Sequence, residues 1–86
     1  MQQGLVGDYM IYNIDRIVSK IAKDNNLEYF ISDHTENSIV IGLSKMVNGA
    51  KIGDNFILTW ADLEDDVNLI ENYCNMMIRD MKEYWN

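Results

Sequence analysis

Proline is absent from this 86-residue chain, cysteine occurs once, and Lys and Arg together number seven against fourteen Asp and Glu. Each shortage excludes something. A single cysteine, Cys74, forms no internal disulfide, which fits a reducing compartment such as the cytoplasm. The scarcity of cations leaves a formal charge of −7. Such a field repels nucleic acid and anionic lipid, excludes direct nucleic-acid or membrane binding, and favours basic partners. No apolar run approaches the roughly 18 residues that span a bilayer. The first eight residues, Met1-Gln-Gln-Gly-Leu-Val-Gly-Asp8, carry neither the basic nor the apolar stretch of a signal peptide.

Metal and catalytic patterns are missing as well. His34 has no second His and no Cys pair, so a zinc site lacks its ligands. The acids at 62–66 do not follow the calcium-loop spacing. Ser32, Ser38 and Ser44 have no base or oxyanion motif around them, and Gly49 and Gly53 match no phosphate-cradling pattern. The expectation is a protein without catalysis, metal or cofactor.

What is present is a core and a pattern. Apolar residues make up 48% of the chain, enough for one domain. Residues 1–9 read as a flexible arm and 10–86 as a single α+β domain. Ile14, Ile17, Val18 and Ile21 recur at helical spacing, predicting a helix over 13–24 capped by Asn13, with Asp15 in its first turn and Asn25-Asn26 closing it. Leu27–Ser32 is rich in β-formers and predicts a strand, followed by a polar turn at 33–37. Ser38–Val47 predicts a second strand with Ile39, Ile41 and Leu43 on its apolar face, and with Gly42 marking a bulge or a close backbone approach. A hairpin loop over 48–54 leads to a third strand, 54–60. Leu63, Val67, Ile70, Cys74, Met77, Met81 and Tyr84 then form the stripe of one long helix, capped by Asp62 and ending near Tyr84. The order α-β-β-β-α with short loops predicts a three-stranded antiparallel meander with both helices on one face.

The acids lie between the apolar segments rather than in a tail. Asp33, Glu36, Asp54, Asn55, Asp62, Glu64, Asp65 and Asp66 are the candidate partner-binding residues. Negative side chains at 62–66 also stabilise a helix start by ~0.3–1 kcal/mol each, so a purely structural role competes with a binding one. Met77, Met81, Tyr84 and Trp85 are candidate contacts for a dimer or a partner along the last helix. The four acids Asp62, Glu64, Asp65 and Asp66 at the start of the second helix also separate this chain from double-stranded RNA-binding domains of the same element order, which need cations there.

In size, acidity and element order the chain resembles the small prophage-encoded anti-CRISPR proteins that inhibit the type II RNA-guided nuclease. The local likeness is to the Listeria prophage member. It rests on Asn13-Ile14 opening the first helix, Asn37-Ser38-Ile39 opening the second strand, Val47-Asn48 entering the hairpin, and Glu71 and Trp85 bracketing the last helix. The resemblance implies a mimic of duplex DNA, whose carboxylates occupy the cleft where the nuclease reads the motif beside its target. A carboxylate pairs with guanidinium through two parallel hydrogen bonds, as a phosphate does. In that family the hairpin supplies acids. Here it offers Asn48, Asp54 and Asn55, and Lys51 departs from the pattern. The expected partner is therefore a basic nucleic-acid-binding protein, with a CRISPR nuclease as its sharpest form. The alternative is a small module that dimerises through its C-terminal helix. A monomer is expected under the first reading and a homodimer under the second.

Overall fold

The computed structural model describes residues 2–66 and 68–85, with side chains from Tyr12 onward. Helix α1 (Gln2–Asp24) precedes strands β1 (Glu28–Thr35), β2 (Ser38–Val47) and β3 (Ala50–Thr59), and helices α2 (Trp60–Asp65) and α3 (Leu69–Lys82) follow. The strands form an antiparallel sheet in the order β1-β2-β3. The fold is α+β, with the meander expected from the short loops.

The apolar alternation of β2 decides which face is covered. Ile39, Ile41 and Leu43 are buried, as is Leu58 of β3 opposite Ile39. Ile14, Val18 and Ala22 of α1 and Ile70, Cys74, Met77, Ile78 and Met81 of α3 complete the same cluster. Each fully buried aliphatic side chain contributes about 1.5–3 kcal/mol relative to exposure. The helices thus share one sheet face. On the other face, Phe30 and Ile57 are about half exposed, and the buried helix residues among the described residues pack with Ile39, Ile41, Leu43 and Leu58 instead.

Asn25 and Asn26 close α1 as their chemistry predicts. Asn26 adopts a φ of 57°, and the Leu27 amide donates to the Ala22 carbonyl at 2.8 Å, the wide bond of a left-handed helix terminus. The other end differs from expectation. The helix starts at Gln2, so Asn13 lies inside it and is not a cap. Residues 2–9, expected as an arm, have helical backbone, and Met1 lies outside the described residues. Asp15 is mid-helix, where its carboxylate accepts a hydrogen bond from the Tyr29 hydroxyl at 2.8 Å, tying α1 to β1.

Two further boundaries move. The loop expected over 48–54 shrinks to the two-residue turn Asn48-Gly49, with φ of 54° and 84°, because Val47 already pairs with Ala50. Two successive positive φ angles match the twist of a tight hairpin, and Asn-Gly is the pair that adopts them at least cost. The single long terminal helix is instead two. Thr59, not Asp62, caps α2: the Asp62 amide donates to Thr59 Oγ1 at 3.1 Å and the Thr59 amide donates to the Asp62 carboxylate at 3.3 Å. Asp66 then takes an extended backbone and its carboxylate accepts from the Asn68 amide at 2.9 Å. An Asp side chain competes with the helix for backbone partners in this way, and α2 ends at Asp65 while α3 starts at Leu69. Val67, expected on the apolar stripe, lies outside the described residues.

Gly42 does mark a close approach. The Phe30 ring lies where a side chain at 42 would project.

Candidate partner-binding site

The sheet register brings distant acids together. Thr35 pairs with Ser38 and Ser38 with Thr59, so the β1–β2 turn and the start of α2 lie at one end of the sheet. The Trp60 amide donates to the Asn37 carbonyl at 2.9 Å and fixes that junction. Asp33 and Glu36 from the turn region therefore share this end with Asp62, Glu64, Asp65 and Asp66. All six are exposed. Glu71, in the first turn of α3, joins them. Neither the segment 33–38 nor the segment 59–78 contains a Lys or Arg. These seven acids equal the whole net charge of −7, and the remaining seven acids are matched by the seven cations elsewhere.

The caps place some of these groups. Asp62 is held by its reciprocal bonds with Thr59 and Asp66 by the Asn68 amide. Both carboxylates have a structural duty, and both are thereby fixed before any partner arrives, which lowers the ordering cost of binding. Asp33, Glu36, Glu64 and Asp65 form no ion pair among the described residues, where Lys20–Asp24 at 3.2 Å is the pair seen. His34 sits at the irregularity of β1 between Asp33 and Thr35.

Asp54 and Asn55 do not belong to this group. Leu43 pairs with Asp54 near the hairpin, on the helix-bearing face, and Asn55 points to the opposite face. Asp54 lines a cleft of about 320 Å³ with Asp80, Glu83, Tyr84 and Ile52 at the C-terminal end of α3. Its carboxylate also accepts from the Asn55 amide at 2.8 Å. A strand places successive residues on opposite faces, so the neighbours Asp54 and Asn55 could not serve one flat surface.

No protein-family model matches the chain, and no curated protein or solved structure matches it either.

The C-terminal contacts expected for a dimer are mostly core. Met77 and Met81 are 6% and 3% exposed and pack against the sheet, so neither is available to a partner. Trp85 packs partly against the same core, with the Lys45 ammonium 4.3 Å from its ring centre, a contact worth about 0.5–1 kcal/mol. Tyr84 alone of the four is exposed, at 65%. The methionine that α3 does expose is Met76, off the stripe by one position.

Cys74 is shut in the core, and burial, reinforced by Glu71, pushes its thiol up to about 11. It is a small apolar filler, not a nucleophile. The Tyr29 phenol is also raised, chiefly because it donates to the Asp15 carboxylate. Among the described residues no three His, Cys, Asp or Glu side chains are grouped to hold a metal ion, and no helix is long and apolar enough to cross a membrane.

Proposed function

We propose that the chain is an acidic protein-binding inhibitor that competes with nucleic acid for a basic partner, using the end built from the β1–β2 turn, α2 and the start of α3. The observation that carries this reading is the gathering of Asp33, Glu36, Asp62, Glu64, Asp65, Asp66 and Glu71 with no Lys or Arg in the same segments. A phosphate backbone offers a partner closely spaced negative charge, and carboxylates fixed by caps offer the same to arginine. Charge of one sign over a compact end also steers a basic partner to it.

The resemblance to prophage-encoded inhibitors gives the sharpest form: a type II RNA-guided nuclease as partner, inside a bacterial host cell. The hairpin departs from that family, since Lys51 flanks it and Asp54 faces the α3 cleft. The contact is therefore assigned to the opposite end. A dimer through the C-terminal helix loses support, because Met77 and Met81 are buried.

The test is DNA cleavage by such a nuclease with the purified chain added before or after target DNA. Inhibition is expected only when the chain is added first, and it is expected to disappear in the Glu36→Lys, Glu64→Lys, Asp65→Lys triple variant. These three are chosen because no cap depends on them. Cleavage unaffected by the wild-type chain removes the nuclease as partner. Inhibition that survives the triple variant removes the acidic end as its agent.

A further inference from the structure

Asn48 is the one asparagine of the chain that glycine follows. Both residues of the pair are exposed at the tip of the β2–β3 hairpin, with φ of 54° and 84°. Among the described residues beyond its chain neighbours, nothing lies within 4 Å of the point where a Gly49 side chain would begin. No other part of the molecule therefore crowds the Gly49 nitrogen. The chain around the pair is lightly held. Met46 and Lys51, which pair just below the turn, are exposed, as is Ala50, and the buried positions of β2 end at Leu43. A hairpin tip with so few buried contacts opens locally at low free energy, without the domain unfolding.

We propose that Asn48 is a site of spontaneous covalent modification, deamidation through a cyclic imide, and that closure of the hairpin sets its rate. The Gly49 nitrogen, having given its proton to solvent base, attacks the side-chain carbonyl carbon of Asn48. The new N–C bond closes a five-membered succinimide ring, and the side-chain nitrogen takes up a proton and leaves as ammonia. Water then opens the ring. Attack at the side-chain carbonyl restores the chain with aspartate at 48. Attack at the main-chain carbonyl leaves the chain running through the former side chain, as isoaspartate. One water is consumed and one ammonia released, with no oxidation or reduction. Glycine at 49 favours the first step because it has no Cβ to hinder its nitrogen.

The folded turn opposes that step. The ring ties the Gly49 nitrogen to Asn48 Cγ, which rotates ψ of Asn48 out of the left-handed region that the two-residue turn requires. While Val47 and Ala50 stay paired, the ring does not close. The two products then differ in structure. Aspartate before glycine suits the same turn, so that product keeps the hairpin and adds a negative charge between Lys45 and Lys51. Isoaspartate adds a backbone carbon to the loop, so a two-residue turn no longer fits and the Val47–Ala50 pair is lost. Other asparagines lack this combination. Asn37 precedes the buried Ser38, and its carbonyl accepts the Trp60 amide. Asn26 precedes Leu27, whose amide is bonded to the Ala22 carbonyl. The site is independent of the acidic end, since none of those acids lies at the hairpin.

The test is incubation of the full chain at neutral pH, folded and in urea. Isoelectric focusing reads the added negative charge, and peptide mass spectrometry reads its position. Conversion is expected at Asn48 ahead of every other asparagine. It should be at least about tenfold slower in the folded chain than in urea, the factor that ~1.4 kcal/mol of turn stability produces. Gly49→Ala should lose the conversion at 48 in urea, where the fold plays no part. Asn48→Asp should keep the Ala50 amide protected from hydrogen exchange, and the isoaspartate fraction of aged protein should lose that protection. Equal rates in folded and unfolded chain overturn the control by the hairpin. Conversion led by Asn37 or by the Asn25-Asn26 pair overturns the site.

Discussion

The two ends of the sheet carry charge in opposite ways. At the β1–β2 turn end, seven acids stand without a cation in the segments that form it. Toward the hairpin end, Lys20 and Lys23 close α1, Lys45 and Lys51 flank the Asn48-Gly49 turn, and Arg79 and Lys82 end α3, interleaved with Asp24, Glu28, Asp54, Asp80 and Glu83. One end is nearly balanced and the other holds the imbalance. A ten-residue strand is about 33 Å long, several times the ~8 Å over which physiological salt screens charge. A partner at one end therefore does not feel the other. Composition alone gives the same net charge whether the acids converge or scatter, and pairing of the strands decides between them.

That contrast can be broken deliberately. The largest effect is expected from the core that holds both ends in register. Ile41→Ala, at a fully buried position of β2, should cost about 2–5 kcal/mol and lower the midpoint of urea unfolding accordingly. Gly42→Val comes next. It drives a side chain into the Phe30 ring and should cost about 1–3 kcal/mol, measured in the same way. Asp62→Ala removes the reciprocal cap of α2 and should cost ~1 kcal/mol. Asp65→Asn, with no cap to lose, should stay within about 0.5 kcal/mol. That pair of variants separates the structural acids of the charged end from those free to bind. A pH dependence tests the same core without any substitution. The Cys74 thiol and the Tyr29 phenol both have folded values raised above their ordinary ones. Their contributions are whole below the ordinary values and are lost as pH rises through the folded ones. Unfolding followed above pH 9 should show stability falling first from Cys74, toward about 11. In native protein the same thiol should resist a disulfide reagent at neutral pH and react once the chain is unfolded.

How much of this was legible in the sequence depended on the range of the interactions. The alternation of β2 and the α1 stripe follow from local periodicity: of Ile14, Ile17, Val18 and Ile21, the first and third are buried and the other two are partly buried against the core, while Ala22, outside the expected stripe, is buried as well. Asn26 at the end of α1 is equally local. The errors came where two local signals competed. Asn48-Gly49 is a complete two-residue turn, yet Gly53 invited a longer loop; its real use is to avoid Ser44 on the neighbouring strand. The periodic stripe from Leu63 to Tyr84 argued for one helix, while the Asp66 carboxylate takes the Asn68 amide and ends the first of two. Thr59 and Asp62 are a capping pair that the acidic run obscured.

The site was the least legible part, for a plain reason. Asp33 and Glu36 are separated from Asp62–Asp66 by two strands, and only the Thr35–Ser38–Thr59 register and the Asn37–Trp60 hydrogen bond unite them. The same pairing sends Asp54 to the other end. Glu71 escaped notice as an acid because it reads as part of a long helix. Met77 and Met81 lie on the stripe, and a stripe alone does not say whether a sheet or a partner covers it.

The central claim, that the acidic end is where a basic partner binds, is tested most directly by titrating isotope-labelled protein with an oligoarginine peptide and following backbone amide shifts by NMR. The account predicts saturable shifts confined to residues 33–38 and 59–71, lost in the Glu36→Lys, Glu64→Lys, Asp65→Lys variant. Shifts spread evenly over the surface, or centred on Asp54, Asp80 and Glu83 beside the hairpin, would contradict it.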